Sequence, residues 1–356
     1  MTLVHRSVLL EPTVAALVDP SFEARRWAQN PAIQGLVDGV YVDCTFGRGG
    51  HSRLLLSHLS PQARLIVIDK DPQAIAVAQE LAAQDSRVTV VHSGFGDLAQ
   101  ALDELDVGPL QGVMMDLGIS SPQIDDAERG FSFMREGPLD MRMDTSGGLT
   151  AEQWLAEVSV EVLKEVIAEY GEERFAFQIA KAIVDRRQSR PLHTTRDLAE
   201  LVAGVVRTRE KGQHPATRTF QAIRIYLNRE LEELAYALPS ILSRLATRGR
   251  LAVIAFHSLE DRMVKQFMNA AARPAQEQSR LPILEKDLPQ PLVQSLGRIL
   301  PTDEESSDNP RARSAVLRVV QRTDTPIPQD WMRSASERLL QQAAYSRQPA
   351  GKRGRR

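Results

Sequence analysis

The stretch Val40-Tyr41-Val42-Asp43-Cys44-Thr45-Phe46-Gly47-Arg48-Gly49-Gly50-His51 decides how the chain is read. An apolar run enters a glycine-rich turn, residues 52–59 carry helical spacing, and a second apolar run over 64–68 ends on Asp69. Strand, glycine turn, helix, strand and acid, in that order, form the first half of a nucleotide-binding α/β sheet. Glycine permits positive φ and lets a ligand approach the backbone closely. A carboxylate at the tip of the second strand can accept both hydroxyls of a ribose diol. An adenosine-containing cofactor fits this pattern. A plain strand-to-helix turn would use the same glycines, and spacing leaves the two readings level.

Outward from this stretch, the pattern predicts strands over 88–92 and 112–117 and helices over 72–83 and 97–105. Pro72 suits the first turn of its helix, where no hydrogen bond is lost. Alternating strands and helices imply βαβ units and a parallel sheet with helices on both faces. The alternation stops over 149–213, where Thr150-Ala151-Glu152-Gln153 has capping-box form and apolar residues follow helical spacing. A long helix is predicted over 219–245, then a strand over 251–256 and a helix over 259–271. Strands over 296–300 and 314–321 would close an antiparallel hairpin. The expected organisation is a core in two parts, 1–140 and 215–323. An inserted helical domain at 141–214 separates them, and a largely disordered C-terminal extension at 324–356 follows, helical only over 331–344.

With 356 residues, 42% of them hydrophobic, the chain has enough apolar surface for a large α/β core and a smaller domain. A net charge of −2 excludes a uniformly basic nucleic-acid coat, though not local patches. The single cysteine, Cys44, excludes an internal disulfide, fits a reducing compartment and is read as a packing residue. No signal pattern or membrane-length apolar run is seen, so a cytoplasmic protein with no membrane partner is expected. The basic tail at 351–356 is read as a solvated end, with RNA contact as an extra. No Cys/His cluster is present, so no metal is expected.

A dinucleotide fingerprint requires a third glycine where this chain has Ser52, which weakens NAD. Asp43, Asp69 and Asp116 would surround the turn; acids disfavour bound phosphate and favour a cationic ligand without phosphate. S-adenosyl-L-methionine meets that description. His51 either donates to the cofactor carboxylate or caps the helix. Asp116 leads into Gly118-Ile119-Ser120-Ser121-Pro122-Gln123, in which Ser120, Ser121 and Pro122 are candidates for holding an exocyclic base amine. Such a nitrogen shares its lone pair with the ring, and acceptors aimed at its N–H bonds would localise that pair. An ordinary Ser-Pro turn is an equal reading.

From these motifs the chain resembles the bacterial 16S rRNA cytosine-N4 methyltransferases, the RsmH or MraW family. The resemblance runs from His5 to about Arg322. It is carried by 43–51, 69–72, 116–123 and 126–133, by Pro138-Leu139-Asp140-Met141-Arg142-Met143-Asp144, and by 170–175, 214–221, 256–262 and 309–314. It implies a class I S-adenosylmethionine-dependent methyltransferase fold, Rossmann-like, with an inserted helical domain. It also implies N4-methylation of a decoding-region cytidine in 16S rRNA of the small ribosomal subunit. Carried over by motif, the cofactor contacts are Gly49, Gly50, His51, Asp69, Phe95, Asp116 and Gln123; the residue pattern itself adds Asp43 and Gly47. Phe95 either stacks on adenine or is a core aromatic.

Candidates for substrate RNA are Asp140, Arg142, Arg218, His257, Arg311 and Arg313. Asp140 and Arg142 either close over the base or form a surface ion-pair loop. Arg218 and Arg224 sit well for phosphates near a helix start. His257 is either a general base or a hydrogen-bonded structural histidine. Two competing classes stand: a nucleotide-dependent oxidoreductase, weakened by Ser52, and a non-catalytic RNA-binding assembly factor, weakened by the intact 116–123 loop. A homodimer is left open.

Overall fold

The computed structural model describes residues 7–29, 35–206, 214–274 and 289–343. Seven strands form one sheet: β1 (Val40–Asp43), β2 (Arg64–Asp69), β3 (Val88–His92), β4 (Leu110–Asp116), β5 (Leu245–Ala255), β6 (Val293–Ile299) and β7 (Val316–Arg322). Their order is β3-β2-β1-β4-β5-β7-β6. The first five run parallel, and β7 runs antiparallel to both β5 and β6. The interiors of β1, β2 and β4 are continuous apolar runs buried on both faces, as strands covered by helices must be. This is the class I methyltransferase arrangement, a parallel core closed by an antiparallel hairpin.

The strand order places the site. The chain builds outward from β1 to β3, then returns to lay β4 on the other side of β1. Ligands of open α/β sheets bind at the carboxyl ends of the strands flanking such a reversal. Asp43 ends β1 and Asp116 ends β4, and the two strands are paired.

The chain separates into two compact units, Met1–Gly118 with Glu233–Leu340, and Ile119–Glu232 with Gln341–Arg356. The first contains the whole sheet. The second is built on helices Ala151–Glu157, Val160–Gly171, Ala176–Arg187, Thr195–Val205 and Thr217–Leu227, with no named strand among its described residues. The boundaries expected at 140/141 and 214/215 fall inside this second unit. Residues 119–148 lack helical spacing, yet they are bound to its helices. Asn228 Nδ2 donates to Met141 O (2.8 Å), and Met143 N donates to Asn228 Oδ1 (2.7 Å). Buried Arg129 donates to Arg142 O and Met143 O at 3.1 and 2.9 Å.

The single helix expected over 219–245 is two, Thr217–Leu227 and Glu230–Arg244. Arg229 takes the left-handed conformation (φ 54°), and Asn228 Nδ2 also donates to Arg224 O at 2.9 Å. Apolar spacing continues through this break, which is why the sequence does not reveal it. The C-terminal helix runs Gln329–Ala343; the remaining extension and the basic tail lie outside the described residues. Among the described residues no helix is long and apolar enough to cross a membrane.

Candidate cofactor site

The glycine turn lies across the carboxyl ends of three strands. Cys44 N donates to Met114 O (3.0 Å) on β4, and Phe46 N donates to Ile68 O (3.1 Å) on β2. Gly47 and Gly49 have φ of 55° and 76°, the left-handed region that side chains disfavour. A Cβ on Gly49 would stand 2.6 Å from the buried Phe46 ring. Asp69 secures the turn from the next strand. Gly47 N donates to its Oδ2 (2.8 Å) and Asp71 N to its Oδ1 (2.9 Å), and the Lys70 backbone N–H is also directed at this carboxylate. Thr45 Oγ1 accepts from Asp116 N at 2.6 Å, joining the turn to the tip of β4.

Three carboxyl groups converge here with unfavourable charges. Asp43 is 2% exposed, and burial pushes its pKa up to about 6 despite a Ser52 Oγ donor at 2.6 Å. Burial, with the charges of Asp43 and Glu260, pushes Asp116 up to about 8. Burial also raises Asp69. Asp116 Oδ1 is sealed from solvent and has no hydrogen-bond partner. A cation at these strand ends would relieve the repulsion, and a phosphate would add to it. Together with the glycine cradle, this acceptor set fits S-adenosylmethionine, whose sulfonium and ammonium are both cationic.

Ser52 and His51 depart from their sequence readings. Ser52 is more than a missing glycine, because it is the donor that keeps Asp43 partnered. His51 does not cap the helix Gly50–Leu56; Gly49 holds that position. Its Nε2 donates to Val8 O (3.1 Å), which leaves an unprotonated Nδ1 3.7 Å from Asp116 Oδ2. Burial lowers its pKa to about 4, so the ring is neutral near pH 7. The expected donation to a cofactor carboxylate therefore gives way to an acceptor role.

Phe95 opens the short 3-10 turn Phe95–Asp97 after β3. It is half-buried, with Lys70 Nζ over the ring 6.0 Å from the centroid, so it is not a sealed core aromatic. Sequence reasoning named Lys70 only as a neighbour of Asp69, and it missed Glu233, which accepts from Lys70 Nζ at 2.5 Å. No local pattern signals a partner so distant in sequence.

Among the second unit's candidates, Ser120 is the N-cap of the short helix Ser121–Asp125, with Pro122 in its first turn. Gln123 is buried, and its Oε1 accepts from Ser120 N at 2.9 Å. Arg142 forms a two-pronged pair with Asp140 at 2.8 Å on each prong, which lowers the Asp140 pKa. Arg218 is the second residue of its helix and donates to Glu172 O at 3.4 Å. Arg224 is not available to phosphate. It is buried against Glu230 at 2.8 and 3.0 Å, the two side chains 12% and 7% exposed.

In the first unit, Arg311 and Arg313 lie in the 3-10 segment Pro310–Ser314, and Arg313 is exposed. Val316 at the start of β7 pairs with Ala255 at the carboxyl end of β5, so both arginines stand at the ligand edge of the sheet. His257 is the N-cap of the helix Ser258–Ala272, its Nδ1 accepting from Glu260 N at 3.4 Å. This geometry matches the structural-histidine alternative, while Nε2 lies 3.0 Å from Glu260 Oε1. His257→Asn retains a capping side chain and is expected to keep both methyl transfer and unfolding free energy. His257→Ala should lose about 1 kcal/mol in urea unfolding with kcat held. A hundredfold fall in kcat for the asparagine variant would restore a catalytic role.

A family model described as the MraW methylase family matches residues 2–323. The chain belongs to this family. A Bordetella pertussis relative named ribosomal RNA small subunit methyltransferase H is 65% identical over 334 residues, 92% of each chain. A relative of the same name from Neisseria meningitidis is 59% identical over 312 residues, covering 86% of this chain and 95% of its own. The MraW match ends near the end of β7, so the helix Gln329–Ala343 lies beyond it.

Proposed function

We propose that this chain methylates N4 of a cytidine in the decoding region of 16S rRNA, acting in the cytoplasm on the small ribosomal subunit. S-adenosyl-L-methionine is the donor. The observation that carries the reading is the carboxyl cluster Asp43, Asp69 and Asp116 at the strand-order reversal, with one buried acceptor unpartnered. The naming of the relatives and the family agree with it.

S-adenosylmethionine supplies an electrophilic methyl group on a sulfonium. Asp69 would accept the ribose hydroxyls, while Gly49 and Gly50 would allow close backbone approach. Asp43 and Asp116 offset the positive charge, His51 Nδ1 accepts from the ammonium, and Phe95 supplies an aromatic face. Gln123 completes the cofactor contacts.

Directly onward from β4 and Asp116 in the chain, Ser120 and Ser121 offer hydroxyl oxygens, and Pro122 presets the turn that presents them. Acceptors on the N4 hydrogens localise the nitrogen lone pair and orient it for attack, so positioning and electrostatics supply the rate. As the N4–methyl bond forms the sulfur–methyl bond breaks, and S-adenosylhomocysteine is the leaving group. The cationic nitrogen, now acidic, gives its proton to solvent without a strong base. Arg218, Arg311 and Arg313 contact the RNA backbone, and the Asp140–Arg142 pair contacts the base or its neighbours.

The test incubates the protein with methyl-labelled S-adenosylmethionine and small subunits lacking the modification, then maps the labelled nucleoside. Label in N4-methylcytidine of 16S rRNA is expected. Label in another base or in protein would overturn the reading, and tight subunit binding without transfer would favour an assembly factor.

A further inference from the structure

Lys70 and Glu233 form an ion pair with both side chains largely covered, 14% and 18% exposed. Glu233 Oε2 is sealed and has no hydrogen-bond partner. Around this pair the turn at Phe95 has an unusual shape, with glycine on each side of the aromatic. Neither Gly94 nor Gly96 has a positive φ, so their missing Cβ atoms answer to space rather than to backbone conformation. Glu233 fills that space. A Cβ on Gly94 would stand 2.8 Å from Glu233 Oε1, and one on Gly96 would stand 2.9 Å from Glu233 Cγ and 3.2 Å from its Cα. The turn is thus moulded on the glutamate at two points. The lysine that the glutamate holds is the one standing over the Phe95 ring.

We propose that Lys70 and Glu233 are positioning residues for the adenine subsite, holding Phe95 with one face against the lysine cation and the other open to the base. This rests on reading the carboxyl ends of β1, β2 and β4 as the donor site. Lys70 directly follows Asp69, so the pair ties the ribose acid to the adenine platform, two elements that must keep a fixed separation to hold one nucleoside. A phenyl ring on a three-residue turn would otherwise lose rotamer freedom when adenine stacks on it. Ordering it beforehand lowers that cost. Holding a cation on one ring face is the geometry in which the ring quadrupole is favourable.

The experiment uses the full chain, S-adenosylhomocysteine titrated by calorimetry, and steady-state kinetics with S-adenosylmethionine. Glu233→Gln and Lys70→Met should each raise the S-adenosylhomocysteine Kd and the S-adenosylmethionine KM about tenfold, with kcat at saturating donor held. The double variant should bind no worse than the weaker single, because either change breaks the same pair. Gly94→Ala should weaken binding by displacing the carboxylate, and adding Glu233→Ala should cost little more, because the pair is already broken. Kd within twofold of the parent for both single variants, fully additive losses, or a fall in kcat at unchanged KM would each overturn the proposal. Phe95→Leu separates the two levels. If it weakens binding while the pair variants do not, the pair has no positioning role; if it too leaves Kd unchanged, the donor-site reading itself fails.

Discussion

Asp69→Ala is expected to abolish measurable S-adenosylhomocysteine binding while leaving a folded protein. The substitution removes the candidate ribose acceptor and, with it, the two hydrogen bonds by which Gly47 and Asp71 are fixed. Hydrogen bonds to a charged acceptor contribute about 1.5–3 kcal/mol each, so losing the two diol contacts alone weakens binding roughly 100-fold or more. Release of the glycine turn adds to this, because the backbone that approaches the ligand is no longer preorganised. Calorimetry and circular dichroism measured together decide the point. An unchanged Kd would remove Asp69 from the site, and a collapsed spectrum would make its role purely structural.

The second large effect is on pH. In the ligand-free protein Asp116 holds its proton up to about pH 8 and Asp43 up to about pH 6, whereas each ordinarily ionises near 3.8. A cationic ligand favours their charged forms and so expels protons on binding. Affinity for S-adenosylmethionine should therefore rise with pH between about 6 and 8, by up to about tenfold per unit. S-adenosylhomocysteine, which lacks the sulfonium, should show a shallower slope, and Asp116→Asn should flatten both. His51, lowered to about 4, stays neutral across this window and does not confound it.

Stability of the free protein runs the other way. The folded state binds the Asp116 proton more tightly than the unfolded chain, so stability falls as pH rises from about 4 and levels off above about 8. Asp116→Asn should raise the melting temperature at pH 8 by about 3 °C or more and change it little at pH 4. An affinity that falls as pH rises, or an asparagine variant that melts lower at pH 8, would remove the burial argument.

The parallel core could be read from the chain because each strand is a short apolar run bounded by turn residues, a pattern set by immediate neighbours. The strand expected over 88–92 matches β3 residue for residue, and that over 64–68 matches β2 to within its final Asp69. The break at Arg229 could not be read, since Asn228 stops the helix by binding a loop more than eighty residues earlier. For the same reason, residues 119–140 read as core sequence yet join the helical unit. Ser52 shows the limit at a single position. Motif spacing recorded it as an absent glycine, and only the folded turn brings its hydroxyl onto Asp43.

Spacing along the chain was sufficient to establish the glycine turn, the acids at the strand tips and the alternation that makes the sheet, because these depend on residues within one or two turns of each other. The charge states of Asp43 and Asp116, the free nitrogen of His51 and the partner of Lys70 were decided only in the folded molecule. Desolvation has no counterpart in a sequence motif, and the Lys70–Glu233 pair joins residues 163 positions apart. Burial and long-range pairing arise when the sheet closes, and they convert a nucleotide-binding pattern into a site tuned for a cation.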